Sequence, residues 1–152
     1  MSLIRIVRTA PVPPAEAWLR VTDWPRHAAQ MPFTRIVRET APPTREGTVF
    51  TARTGVGRLA LDDPMEVVGW VPPADGTAGR CRLVKRGRVV LGWAEIEVRP
   101  AGDGSGGAEV VWLEEVRLRG VPRLLDAPVA LAGRALFGRA LDRLLDGTGP
   151  TP

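Results

Sequence analysis

The sequence predicts an α+β fold, in which a curved antiparallel sheet of about seven strands packs against one long helix near the C-terminal end. Two observations predict it. Clusters of proline and glycine separate segments of strand length, as short turns do in an antiparallel meander. The final segment differs because its leucines recur at helical spacing over more than 15 residues. We expect one domain over residues 1–152, with an ordered core at about 2–146 and a tail at 147–152.

The first predicted strand is "SLIRIVRTA", residues 2–10. It alternates Leu3, Arg5 and Val7 on one face with Ile4, Ile6 and Arg8 on the other. Because the two arginines interrupt the apolar run, the segment is not typical of a cleavable signal peptide. We therefore expect a cytoplasmic protein.

Two short helices are predicted after this strand. The first begins at Pro14, and its apolar face holds Ala17, Trp18 and Val21. Asp23 can cap the second helix because its side chain accepts amide hydrogens of the first turn, where Pro25 needs no donor. The residue before a proline avoids the helical region, so Pro32 should end this helix. His27, the single histidine of the chain, then lies in a corner between two helices.

Six further strands are predicted between residues 33 and 120, at 33–40, 47–54, 57–71, 79–87, 88–100 and 108–120. Glycines predict tight turns at 55–57 and 86–88. Pro64 falls inside the predicted fourth strand and indicates a bulge or a bend there, because proline cannot donate to a strand ladder. The neighbouring Asp62 and Asp63 are interpreted as residues that cap a turn through their side chains.

The last predicted element is a long amphipathic helix within residues 121–147, ended by Gly147. Pro128 either kinks this helix or marks its first turn, with Asp126 as the cap; the sequence is compatible with both. A strongly curved sheet that grips such a helix leaves space between the two, and that space is the natural ligand site.

Composition excludes several classes of site and partner. No apolar run approaches the roughly 20 residues that a membrane span needs. Cys81 is the single cysteine, so neither an internal disulfide nor a zinc site of cysteines and histidines is expected, and we expect no metal and no cofactor. The net charge of +4 comes mostly from arginines that are spread along the chain among 17 acidic residues. This distribution argues against a nucleic-acid partner.

The order of elements resembles the START-like (SRPBCC) superfamily, and within it the bacterial polyketide cyclase/dehydrase and lipid-transport group. The segments that carry the resemblance are "APVPPAEAWLRVTDWPRHAAQMP" at 10–32, "DDPMEV" at 62–67, "GWAEIEVRP" at 92–100 and "VVWLEEV" at 110–116, followed by the long helix. The resemblance covers about residues 2–146. It implies a helix-grip fold with a deep, mostly apolar cavity for hydrophobic small molecules, and it does not imply one chemistry.

Glu114 is the most informative polar residue. Strand alternation places it on the same face as Val110, Trp112, Val116 and Leu118. Because that face is otherwise apolar, Glu114 should point into the cavity, where it would resist ionisation and act as a general acid or base. The alternatives are that Glu114 pairs with a buried arginine or lies near the rim of the cavity. Its possible partners include basic residues of the neighbouring strands: Arg35, Arg53, Arg82, Lys85 and Arg86.

Lys85, three tryptophans and His27 complete the set of candidate ligand-binding residues. Lys85, the single lysine, shares a strand face with Cys81 and Leu83, so it either orients a carbonyl or phenolate inside the cavity or extends to its rim. The tryptophans of the central and late strands form flat walls for a planar ligand or simply fill the core: Trp70, Trp93 and Trp112. His27 lies near the cavity mouth if the resemblance holds, or is a surface or capping residue.

Three functions stay open at this point. The chain binds an apolar small molecule, or it is an enzyme of the polyketide cyclase or dehydratase type with Glu114 as general acid or base, or it binds another protein. The first hypothesis agrees best with a cavity face that has few polar groups. A homodimer is left open.

Overall fold

The computed structural model describes residues 2–147 of the chain, so the predicted tail beyond Gly147 lies outside the described residues. The strands are β1 Ser2–Ala10, β2 Thr34–Glu39, β3 Val49–Val56, β4 Leu59–Val71, β5 Gly79–Lys85, β6 Val90–Pro100 and β7 Ala108–Leu118. The helices are α1 Pro14–Val21, α2 Trp24–Ala29 and α3 Asp126–Asp146, with one 3₁₀ turn at Arg123–Leu125.

All seven strands form one antiparallel sheet in the order β1-β7-β6-β5-β4-β3-β2. Strands β2 to β7 follow one another as a meander, and β1 completes the sheet by pairing with β7. The curved sheet wraps around α3, and α1 and α2 follow β1, as the sequence predicts. The predicted α+β helix-grip architecture is therefore confirmed.

The core lies between the concave face of the sheet and the helices. The largest fully buried apolar side chains come from α1, the sheet and α3: Val21, Val67, Leu83, Ile96, Val98, Val110, Leu141 and Leu144. Within residues 2–147, no helix combines the length and the apolar character that a membrane crossing requires.

The helix ends show how the sequence sets the element boundaries. Asp23 caps α2 as predicted, because its Oδ1 accepts the amide hydrogen of Arg26 at 3.0 Å. The start of α3 differs from the predicted cap, since Asp126 is already the first helical residue. Pro128 lies in the first turn, where its missing donor costs nothing. Gly147 ends α3 in the left-handed conformation, with φ of 69°.

The irregularity predicted at Pro64 lies elsewhere in β4. The register against β5 shifts between Val67 and Gly69, whereas Pro64 pairs regularly with Thr51 of β3. Pro64 is just beyond the last β4–β5 pair, and its carbonyl accepts the amide hydrogen of Arg86 at 2.7 Å. Because β5 ends at Lys85, the β5 side of Pro64 has no further ladder pair, and no donor is needed from the proline.

Candidate functional site

An internal cavity of about 160 Å³ lies between the concave face of the sheet, α2 and α3. Its walls come from α2, from every strand except β1, and from α3. Most of the lining is apolar, and the polar side chains that reach it are His27, Thr34, Thr54, Asp63, Lys85 and Glu114. Thr34 and Thr54 satisfy each other through a hydroxyl–hydroxyl hydrogen bond of 2.8 Å. The chemistry of the cavity therefore rests on the other four.

A second chamber of about 140 Å³ adjoins the first on the side of β1 and the beginning of α3. It shares four lining residues with the first chamber: Asp63, Lys85, Glu114 and Phe137. Its remaining walls are apolar, from Ile4, Val90, Val116, Val129, Ala130 and Gly133. The four shared side chains thus separate two apolar spaces.

Asp63, Lys85 and Glu114 form a charged cluster in which Lys85 and Glu114 are buried and Asp63 is partly exposed. The Lys85 Nζ lies 2.7 Å from Asp63 Oδ2 and 3.3 Å from Glu114 Oε1. The side chains of Lys85 and Glu114 are only 5% and 3% exposed. Lys85 therefore does not extend to the rim, and among the candidate partners of Glu114 it is the one that pairs with it. Ala94 of β6 pairs with Glu114, and its small side chain leaves the space in which the charges of β5 and β7 meet.

The electrostatics of the cluster are governed by burial and by its single cation. Burial raises the pKa of Glu114, and this effect outweighs the opposing influence of Lys85 and of the hydrogen bond from Trp112. Burial would lower the pKa of Lys85, but the two carboxylates raise it, so the ammonium stays charged. Either Glu114 is protonated or the cluster carries one excess negative charge. Both states make Glu114 a group that can exchange a proton inside an apolar cavity.

His27 lies in the cavity wall, and its side chain is half-buried. Its ring stacks on that of Trp112, with centroids 4.9 Å apart and planes within 5° of parallel. Its Nδ1 is buried and has no hydrogen-bond partner among the described residues. Burial, assisted by the charge of Lys85, lowers the pKa of His27 from 6.5 to about 4. The imidazole is therefore neutral at pH 7, and it serves as a flat wall whose Nδ1 is buried without a partner among the described residues.

Of the three predicted tryptophans, Trp112 lines the cavity, whereas Trp70 and Trp93 lie elsewhere. Trp93 is on the opposite face of the sheet from Glu114, where its Nε1 donates to Glu115 at 3.2 Å and Arg82 lies over its ring. Trp70 packs on Trp18 of α1 at a centroid distance of 4.9 Å, away from the cavity. These two tryptophans therefore stabilise the fold around the site, and they do not form its walls.

Sequence reasoning missed Asp63 and Phe137. Asp62 and Asp63 looked like capping residues of a turn beside Pro64, but both lie within β4. Asp62 pairs with Arg53 on the outer side, with Nε to Oδ1 at 2.6 Å, and alternation then turns Asp63 inward. The signal was present, since Asp63 shares its strand face with the buried Val67. In the described part of the chain, no group of three or more His, Cys, Asp or Glu side chains is placed to hold a metal ion.

No protein-family model matches the sequence, and no curated protein matches it. Several solved structures, in contrast, are similar to this chain in fold. TTHA0849 from Thermus thermophilus superimposes with a TM-score of 0.65 at 16% identity, covering 97% of this chain and 99% of that protein. Ara h 8.0201 gives a TM-score of 0.56 at 14% identity, covering 95% and 97% of the two chains.

A third similar structure is DynU16, a protein in the dynemicin biosynthetic locus. It gives a TM-score of 0.55 at 21% identity, and the match covers 98% of this chain but 49% of that one. Identities this low carry the fold and no function. The chain therefore shares its fold with these proteins, and that fold is the helix-grip architecture that its order of elements predicts.

Proposed function

We propose that this protein binds a hydrophobic small molecule, polyketide-like or lipid-like, in the cavity between the sheet and α3. The observation that carries the proposal is the internal cavity of about 160 Å³, which is lined mainly by apolar side chains and adjoins a second chamber of about 140 Å³. Apolar surfaces around an empty space lose contacts that a ligand restores, so binding there is favourable.

The charged cluster supports a ligand that is not purely hydrocarbon. Burying three ionisable groups in an apolar wall is costly, and packed hydrophobic residues of the same volume would often be as stable. A polar group on the ligand gives these side chains a role in recognition. DynU16 comes from a biosynthetic locus, and a small-molecule ligand would agree with such a setting.

Native mass spectrometry of freshly purified protein tests the proposal. We expect a co-purified mass, or binding of hydrophobic compounds that raises the melting temperature. Ala52→Phe should reduce this binding because residue 52 lines the cavity. Ala60→Phe adds the same ring at an exposed position and is the matched control. A protein that carries no ligand and responds to no compound in a thermal-shift panel would contradict small-molecule binding.

A second candidate is an enzyme of the polyketide cyclase or dehydratase type. It is favoured by Glu114, whose raised pKa and position in the cavity wall suit a general acid or base. Lys85, 3.3 Å from it, would assist by stabilising negative charge on an enolate or phenolate. Glu114→Gln should then abolish turnover of a suitable substrate and keep ligand binding. Equal loss of both would assign Glu114 a structural role instead.

A further inference from the structure

One oxygen of the charged cluster is left without a partner. Asp63 Oδ2 accepts a hydrogen bond from Lys85 Nζ at 2.7 Å. Asp63 Oδ1 is buried, and among the described residues nothing donates to it. A buried carboxylate oxygen without a donor is unfavourable, and native structures leave few such atoms. Because Asp63 lines both chambers, its side chain lies at the cavity surface, and a group that enters the cavity reaches the covered Oδ1 by a small shift of the side chains around it.

The cation of the cluster, in contrast, is already satisfied. Lys85 faces Asp63 at 2.7 Å and Glu114 at 3.3 Å, so two carboxyl groups compete for one ammonium. His27, the other basic side chain in the wall, is neutral at pH 7. A ligand carboxylate would therefore add a third acidic group to a cluster that has one positive charge. Like charges in a poorly hydrated space are strongly unfavourable.

We propose, on the basis of the ligand-binding function proposed above, that the cavity selects a neutral apolar ligand whose hydroxyl group donates a hydrogen bond to Asp63 Oδ1. By the same arrangement the cavity excludes carboxylic acids, including free fatty acids. The ligand needs a donor because a carboxylate oxygen can only accept. The flat wall made by His27 and Trp112 suits a hydroxyl on an aromatic or other planar ring.

Three matched probes separate these chemistries at pH 7: 4-propylphenol, propylbenzene and 4-propylbenzoate. They share a ring and a tail, and they differ in whether they offer a hydroxyl donor, nothing polar, or a carboxylate. Isothermal titration calorimetry should show binding of the phenol and the hydrocarbon to the wild-type protein. The benzoate should bind far more weakly than either.

The substitution Asp63→Ala removes the acceptor and one negative charge. It should weaken binding of 4-propylphenol roughly tenfold, as expected for one lost hydrogen bond to a charged group, and leave propylbenzene unchanged. Binding of 4-propylbenzoate should increase, because Lys85 then faces Glu114 alone. Asp62→Ala is the matched control, since Asp62 pairs with Arg53 on the outer side of the same strand and should alter no affinity.

Asp63→Asn provides a second variant if Asp63→Ala does not fold. Its amide keeps the shape of the side chain and can still accept from Lys85, so an N–H replaces the free oxygen. Compared with the wild type, Asp63→Asn should bind 4-propylphenol more weakly and 4-propylbenzoate more tightly.

The outcomes distinguish this inference from the proposed function. If Asp63→Ala weakens the binding of 4-propylphenol and of propylbenzene by the same factor, Asp63 has a structural role and the inferred hydrogen bond to the ligand hydroxyl is wrong. If the wild type binds 4-propylbenzoate as tightly as 4-propylphenol, the inferred exclusion of carboxylic acids is wrong. The proposed ligand-binding function is not affected by that result. If no probe binds the wild type, the ligand-binding function itself fails.

Discussion

The indole Nε1 of Trp112 donates a hydrogen bond to Glu114 Oε2 at 3.0 Å, between residues two apart on one strand face. Trp112 also stacks on His27 of α2 and, at 6.1 Å between centroids, on Phe137 of α3. The aromatic wall and the charged cluster are therefore physically connected. A ligand that touches either one changes the surroundings of Trp112.

This connection predicts a tryptophan signal that reports binding. A ligand in the cavity should change the protein's fluorescence, and Trp112→Phe should reduce that change and leave only the part that comes from Trp24, which also lines the cavity. Trp93→Phe is the control, since Trp93 lies on the other face of the sheet beside Glu115. Titration with 4-propylphenol provides the measurement. A signal that survives Trp112→Phe and vanishes in Trp93→Phe would contradict the assignment of the cavity.

The charged cluster predicts that removing its cation lowers the unfolding free energy more than neutralising one of its carboxyl groups does. Lys85→Met leaves two buried carboxyl groups without a cation and should cost about 3–5 kcal/mol of unfolding free energy. Glu114→Gln leaves the ion pair between Lys85 and Asp63 intact and should cost much less. Urea denaturation at pH 7 measures both. Arg53→Met breaks an exposed ion pair, which solvent screens, and should change the unfolding free energy far less than Lys85→Met does. Equal losses for the two buried variants would contradict the charge balance described above.

His27 predicts a pH dependence of stability. Its folded-state pKa is about 4, against 6.5 ordinarily, so between these values the unfolded state binds more protons. Stability from the neutral ring is thus fully present above pH 6.5 and is lost as the pH falls toward 4, by at most about 1.4 kcal/mol per pH unit.

His27→Phe keeps a flat ring and cannot take up a proton. The difference in unfolding free energy between wild type and this variant isolates the contribution of His27 from that of Glu114. It should depend on pH between 6.5 and 4 and be constant at higher pH. Parallel stability curves for the two proteins across that range would show that the imidazole is not buried in a neutral form.

Gly92 predicts a backbone requirement in β6, next to the site. Its φ is +128°, and a Cβ added there would lie 1.8 Å from the carbonyl oxygen of Glu115. Gly92→Ala should therefore cost at least about 2 kcal/mol, because both the conformation and the contact exclude a side chain. Gly102→Ala is the control, since nothing lies within 4 Å of its added Cβ. Thermal unfolding measures the stability of both variants. Equal melting temperatures would contradict the prediction that a side chain at residue 92 strains the backbone.

Local sequence patterns predicted the helices and strands. Strand alternation, which acts over neighbouring residues, also predicted that the side chains of Glu114 and Lys85 point into the cavity. The same rule, applied to β4, would have found Asp63, but the adjacent Pro64 suggested a turn. Trp93 was grouped with Trp112 by residue type, although alternation places it on the other face from Glu114. The contact between His27 and Trp112 joins a helix to a distant strand, and no local pattern encodes such a contact.

The partition between the two chambers consists of side chains, since Phe137 and the charged cluster line both spaces. The volume that is open to a ligand is therefore set by these side chains and not by the backbone. A rotation of the Phe137 ring on α3, or a smaller residue in its place, would widen the passage between the two spaces beside the charged cluster while every strand stays where it is.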